Sequence, residues 1–166
     1  MTRAKGPTYE VSFRRRREGK TRFDKRLAYI KSGLPRMVVR KSNRYVRVQF
    51  IEFFPEGDRC IITVDGARLK KVLGWDAKRN VWSAYLAGML AGKEAAKKGV
   101  KKFVLDIGMH TPSNGAVVFA ALKGAVDSGL ETNFDPEKIP EKKLSNPPEK
   151  IKALFEDARN KIAQIR

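Results

Sequence analysis

The sequence predicts a mixed α/β domain, an antiparallel meander followed by helix, strand and helix, with a basic arm before it and an amphipathic helix after it. Three observations carry this expectation. Residues 37–65 hold three short runs rich in Val, Ile and Phe, separated by turn residues, which is the pattern of consecutive strands. Residues 83–127 hold two long stretches at helical spacing around one short apolar run. The charge is uneven: residues 1–47 carry 16 lysines and arginines against 3 acids, residues 48–130 carry 12 against 8, and residues 131–166 carry 8 against 7. The division that follows is a basic arm with a short helix over 1–31, a core over 32–130, and a linker with an amphipathic helix over 131–166.

The arm begins extended, with Gly6-Pro7 as a helix breaker. Arg14-Arg15-Arg16-Arg17 follows, and four arginines cannot be buried without a partner for each guanidinium. Their flat forks of donors fit phosphate oxygens, and Phe13 and Phe23, which bracket the run, can stack on unpaired bases. The competing reading of such a run is a solvated tail. Gly19-Lys20-Thr21 has the ending of a phosphate-binding loop, but Arg14 stands where that motif needs its first glycine, so nucleotide binding there is rejected. Phe23, Leu27 and Ile30 predict a helix over 21–31 with Thr21 or Ser12 as its cap, and Ser32-Gly33-Leu34-Pro35 ends it.

Strands are expected at 37–40, 45–54 and 59–65, with turns at Ser42-Asn43 and at Pro55-Glu56-Gly57-Asp58. Alternation puts Val46, Val48 and Phe50 on one face and Tyr45, Arg47 and Gln49 on the other. With Arg36, Arg40, Lys41 and Arg44 around the same turn, the first hairpin is a candidate RNA-binding tip; ordinary exposed polar residues are the alternative. Cys60, in Cys60-Ile61-Ile62, reads as a buried strand thiol. A short helix is expected over 67–73, with Trp75 and Trp82 as packing anchors rather than stacking platforms. A helix over 83–98 combines large inward residues with Ala84, Ala87, Gly88, Ala91 and Gly92, whose small side chains allow close approach to a neighbour. Gly99 ends it. A buried strand over 103–107, a loop over 108–115 and a helix over 116–127 complete the core. Asn146-Pro147-Pro148-Glu149 reads as a helix start with a capping Asn, and Ile151, Leu154, Phe155, Ala158, Ile162 and Ile165 form the apolar stripe of that helix.

The 166 residues carry a formal net charge of +18, a pI near 10.3, 42% hydrophobic and 33% charged residues. Such a field favours a polyanionic partner and says nothing about fold. A single cysteine gives no intrachain disulfide framework and no cysteine zinc cluster, and the single histidine, His110, gives no histidine triad or multi-histidine metal site. No cofactor and no metal are expected. No apolar run of spanning length and no secretory leader pattern is present, which points to a cytoplasmic protein without a membrane role. Asp65, Asp106 and Asp127 are the one set of carboxylates that could converge on magnesium for RNA cleavage; turn and capping roles are the alternative.

Five motifs occur in one order: Phe13-Arg14-Arg15-Arg16-Arg17-Glu18-Gly19-Lys20-Thr21, Arg40-Lys41-Ser42-Asn43, residues 85–92 (YLAGMLAG), Val104-Leu105-Asp106-Ile107-Gly108, and residues 119–130 (FAALKGAVDSGL). In this order they closely resemble the large-subunit ribosomal protein family that binds 5S ribosomal RNA, the L-eighteen family in its archaeal and eukaryotic form, over nearly the whole chain. The short C-terminal extension looks archaeal. The resemblance implies a three-layer α/β domain with a mixed sheet, similar to the ribonuclease H-like motif without its catalysis. It implies a structural role on the ribosome, attaching 5S ribosomal RNA to the large ribosomal RNA in the central protuberance, beside neighbouring large-subunit proteins that include the other 5S-binding protein.

By that resemblance the RNA contacts are Phe13, Arg14, Arg15, Arg16, Arg17, Lys20, Thr21, Arg22, Phe23 and Arg26 in the arm, and Arg36, Arg40, Lys41, Ser42, Asn43, Arg44, Tyr45 and Arg47 at the hairpin. His110 in the 110–115 loop is a further candidate. The family often carries a basic residue where this chain has Val117, so Val117 is not among the candidates. The arm is expected to be disordered when free and to order along RNA. A generic basic RNA chaperone and a magnesium-dependent nuclease are the rival readings.

Overall fold

The computed structural model describes residues 6–165. A four-stranded mixed sheet runs in the order β3-β2-β1-β4, from β1 (Arg36–Lys41), β2 (Val46–Glu52), β3 (Arg59–Val64) and β4 (Val104–Asp106). β1 and β2 pair antiparallel, as do β2 and β3, and β4 joins β1 in parallel. The meander is thus the expected one. The parallel strand reaches β1 by a crossover through α3 (Gly66–Leu73) and α4 (Val81–Lys97), and α5 (Val117–Asp127) follows.

Alternation divides the sheet. Met37 and Val39 of β1 and Val46, Val48 and Phe50 of β2 join the main core under α4 and α5, where Phe50 meets Phe103 edge-on at 5.5 Å between ring centres. Arg36, Val38 and Arg40 point the other way, with Gln49, Ile51 and Asp106 on the neighbouring strands. A short α1 (Arg14–Arg17) and α2 (Phe23–Lys31) precede β1, and Tyr29 of α2 lies over this outer face. Helices therefore flank the sheet on both sides, a three-layer arrangement.

Twelve of the seventeen residues of α4 are buried, between the sheet and α5, which packs along it at very short range. A Cβ on Gly88 would stand 1.9 Å from the carbonyl oxygen of Ala121, and one on Gly124 would stand 2.1 Å from that of Tyr85. The small residues are the contact itself.

Several expectations are corrected. Cys60 is exposed, not buried. The pairing passes from Phe50↔Ile62 to Ile51↔Cys60, so Ile61 is an extra residue that reverses the alternation. The Cys60 Sγ then lies beside Thr63 (3.2 Å) and Gln49 (3.7 Å) on the outer face. Neither Ser12 nor Thr21 caps α2, whose N-cap is Arg22 with no side-chain bond; Thr21 instead accepts from Arg15. Leu27, one of the three apolar residues whose spacing predicts α2, is exposed.

Asn146 does not start the last helix. A residue before proline is disfavoured in the helical region, so Pro147, which precedes Pro148, cannot be the first helical residue that a cap at Asn146 requires. Asn146 ends a short α6 (Glu141–Ser145), and α7 (Glu149–Gln164) begins with the carbonyl of Pro148 accepting from Ile151 and Lys152. The stretch read as a linker also holds a 3-10 turn at Pro136–Lys138, and Trp82 Nε1 donates to the carbonyl of Lys143 across it.

Phe155, Ala158 and Ile162 of α7 are buried against the core, while Leu154, assigned to the same stripe, is 61% exposed. Phe155 packs on Trp75 and Tyr85 at ring distances of 6.2 and 5.7 Å, and Trp75 donates to Ser83 Oγ at 2.8 Å, so both tryptophans act as anchors. Tyr85 donates its hydroxyl to Asp127 at 2.9 Å. Burial first, then the hydrogen bond and charge of Asp127, push its pKa up to about 12, against the opposing Arg159 guanidinium above the ring. The folded protein thus holds Tyr85 neutral, and the stabilisation this gives is complete below about pH 10 and lost as pH rises through 12. Tyr85→Phe should cost about 1 kcal/mol at pH 7. Urea denaturation of both proteins between pH 7 and pH 11 should show the gap narrowing as the wild type loses this stabilisation.

Candidate nucleic-acid interface

The outer face of the sheet is built around carboxylates that hold arginines. Arg36 is only 5% exposed. It donates to Asp58 at 2.6 Å and lies 3.6 Å from Asp106. Asp58 also receives Arg26 of α2 at 3.0 Å, which ties the arm to the turn between β2 and β3. Arg40 donates to the Asp106 carboxylate at 3.1 Å and to its backbone carbonyl at 2.8 Å. Asp106 in turn accepts from the backbone N–H of Gly108 at 2.8 Å. Gly108 has φ +63, and a Cβ there would stand 2.9 Å from the Arg40 guanidinium carbon, so only glycine turns the chain at this point and leaves Arg40 in place.

Two aspartates thus fix three arginines in a chain from the arm to β4. One buried donor, Arg36 Nε, has no partner among the described residues. The sequence expectation has Arg36 meeting RNA directly. Its burial and its two carboxylates make it a positioning residue for this face.

Between α2 and this face lies a cleft of about 550 Å³. It gathers Arg15, Lys20, Thr21, Arg22, Arg26, Arg36, Arg40, Lys41 and His110 from the expected set. Eight lysines and arginines line it against two aspartates. Lys25, Tyr29, Val38, Ile51 and Met109 line it too and are not in that set. The signal for Lys25 and Tyr29 is present in the chain: Arg22, Lys25, Arg26 and Tyr29 recur at helical spacing and share one face of α2. Nothing in the sequence announces that Asp58 and Asp106 would meet the same arginine.

His110 Nε2 accepts weakly from the backbone N–H of Lys41 at 3.4 Å. Burial, then the nearby Lys41 and Arg40 charges, lower its pKa, so the ring is held neutral. Burial raises the Tyr29 pKa, and the Asp106 charge adds to this against Arg40, Arg36 and Arg22.

The remaining expected residues lie outside the cleft. All of α1 is exposed, and Phe13 is 78% exposed. Phe13 and Phe23 meet each other at 6.2 Å between ring centres, and Glu18 is paired with Lys20 at 2.7 Å. At the hairpin, Ser42 Oγ donates to the carbonyl of Tyr45 and accepts from the N–H groups of Arg44 and Tyr45, so it builds the turn that presents Asn43 and Arg44 to solvent. Arg47 lies over the Tyr45 ring and donates to its hydroxyl.

The three aspartates considered for magnesium do not converge. Asp65 accepts from Arg68 N–H and caps α3, Asp106 holds Arg36 and Arg40, and Asp127 accepts from Tyr85 and pairs with Lys123. No group of three or more His, Cys, Asp or Glu side chains with metal-holding geometry occurs among the described residues. No helix among them is long and apolar enough to cross a membrane.

The sequence profile of a family described as ribosomal large subunit proteins 60S L5 and 50S L18 matches residues 7–102 and 95–135. The chain is 50% identical over 137 residues to the large ribosomal subunit protein uL18 of Aeropyrum pernix, covering 82% of this chain and 64% of that protein. It is 54% identical over 129 residues to the uL18 of Ignicoccus hospitalis, covering 77% and 63%. It is 41% identical over 165 residues to the uL18 of Saccharolobus solfataricus, covering 96% and 83%. The chain thus spans somewhat less than two thirds of the first two relatives. With its motifs, its mixed sheet and these relatives in agreement, the chain belongs to the family of large-subunit ribosomal proteins 60S L5 and 50S L18.

Proposed function

We propose that the protein is a structural constituent of the large ribosomal subunit in the cytoplasm. In this role it binds 5S ribosomal RNA and helps attach it to the large ribosomal RNA in the central protuberance, beside other large-subunit proteins including the second 5S-binding protein. The observation that carries this reading is the collection of cations from the arm and β1 on one face, with Arg26, Arg36 and Arg40 held there by Asp58 and Asp106. Fixed arginines and lysines neutralise phosphates and release counterions, and their fixed spacing favours an RNA whose backbone has the matching shape. The role is architectural rather than catalytic.

The test is binding of the purified chain to 5S ribosomal RNA and to a length-matched control RNA over a salt series. A preference for 5S RNA that persists as salt rises, with a slope equivalent to roughly 6–10 phosphate contacts, is expected. Equal affinities that fall together would instead mark a generic basic RNA chaperone.

A further inference from the structure

The cleft holds more than charge. Its deepest arginines are already neutralised: Arg36 lies on Asp58 and Asp106, Arg26 on Asp58, and Arg40 on Asp106. The excess positive charge is therefore at the rim, on side chains such as Arg15, Lys25 and Lys41. The interior is partly apolar. Val38 is buried but stands outside the main core cluster, half-buried Ile51 and Tyr29 lie near it, and Met109 at the edge is 48% exposed. A phosphate alone has no use for that floor, whereas a nucleobase does.

Shape narrows the ligand further. The volume is that of a small-ligand pocket. A duplex RNA cannot pass beneath α2, so its phosphates reach only the rim and the exposed α1. A single nucleotide turned out of the RNA can enter. Lys41 and Val38 are three residues apart on β1, roughly 10 Å along the strand, which is the reach of one nucleotide from phosphate to base.

We propose that this cleft takes one unpaired nucleotide of the bound RNA, with its phosphate at the Lys41–His110 rim and its base against Val38, Ile51 and Tyr29. The proposal rests on the RNA-binding reading above and adds the class of nucleotide that the face selects, one that is bulged or in a loop rather than paired. It also moves base recognition away from Phe13 and Phe23, whose rings meet each other, to an interior that the arm closes over.

The test uses the full chain with four probes: a six-nucleotide single-stranded RNA, a blunt RNA duplex with the same number of phosphates, inorganic phosphate, and 5S ribosomal RNA. His110 is the only histidine, so its imidazole NMR signal reports the cleft mouth without ambiguity, and the methyl signal of its neighbour Met109, one of four methionines, is identified by its loss in Met109→Leu. The single strand should move both signals and bind at least ten-fold tighter than the duplex at about 0.2 M salt. Val38→Phe, which fills the floor, should weaken the single strand about ten-fold more than the duplex. If that variant does not fold, Tyr29→Ala on α2, a helix with no buried residue, should give the same selective loss. Equal signal shifts with single strand and duplex would overturn the proposal, as would shifts from inorganic phosphate as large as those from the single strand. An unchanged single-strand affinity in the folded variant would also sink it. Absence of any 5S preference beside an intact single-strand response would instead overturn the ribosomal reading and leave the cleft's ligand standing.

Discussion

Removing residues 1–26 should weaken binding to 5S ribosomal RNA by about a hundred-fold or more at 0.2 M salt, and should lower the salt slope by about 0.7–0.9 for each phosphate that the arm would have neutralised. The deletion takes away ten lysines and arginines. Among them are Arg15, Lys20, Arg22, Lys25 and Arg26, which close one wall of the cleft. The core should remain folded, because the arm contributes little to it. The helix α1 has no buried residue and neither does α2. The ion pair that the deletion breaks between arm and sheet, Arg26 with Asp58, is partly exposed, and such pairs contribute up to about 1 kcal/mol. Asp58 keeps Arg36. The measurement is a salt series on full-length and shortened protein, with a denaturation midpoint for each. A shortened chain that binds as tightly as the full one, with the same slope, would falsify the assignment of the arm to the interface.

Gly88→Ala should lower the stability of the folded chain by about 3 kcal/mol or more. The added carbon would lie 1.9 Å from the Ala121 carbonyl oxygen and 2.7 Å from its carbon, both backbone atoms that no side-chain rotation can move. The gain in helix propensity, about 1 kcal/mol, is too small to offset this. Gly124→Ala should behave alike, since its carbon would meet the Tyr85 carbonyl at 2.1 Å. The double variant should cost less than the sum of the two, because once the helices have been forced apart the second methyl finds the space already open. Urea denaturation of the four proteins completes the cycle. Strict additivity, or a loss below 1 kcal/mol for Gly88→Ala, would show that α4 and α5 do not cross at these two glycines.

These outcomes depend on parts of the molecule that are unequally legible in the sequence. The meander is plain, because alternation in Val46, Val48 and Phe50 has only one register that buries all three. The close helix pair is plain too, since a helix carrying Gly88 and Gly92 among alanines has no large side chain with which to hold a neighbour away. Cys60 misleads because one bulge reverses the alternation, and no local residue type announces the bulge at Ile61. The last helix starts two residues later than its sequence suggests, because proline is compatible with the first helical position and only the second proline excludes the first. Arginines are legible as a group but not in their separate roles. Arg36, Arg40 and Arg47 read alike along the chain, yet one is buried between two aspartates, one is half-exposed on Asp106, and one lies over a tyrosine. That division depends on Asp58, which meets Arg36 when the meander closes, and on Asp106, which meets Arg36 and Arg40 only after the chain has crossed back to lay β4 beside β1.

The same crossover sets an order of events at birth. The chain emerges from its N-terminus, so the arm, Arg36 and Arg40 are exposed to the surrounding RNA before Asp106 has been synthesised. Asp58 is made 22 residues after Arg36, in time to hold it when the meander forms, whereas the partner of Arg40 is 66 residues further on. During that interval the nascent chain presents a more strongly cationic surface than the finished protein. Completion of β4 therefore partly quenches a charge that, earlier in synthesis, would attach to any polyanion within reach.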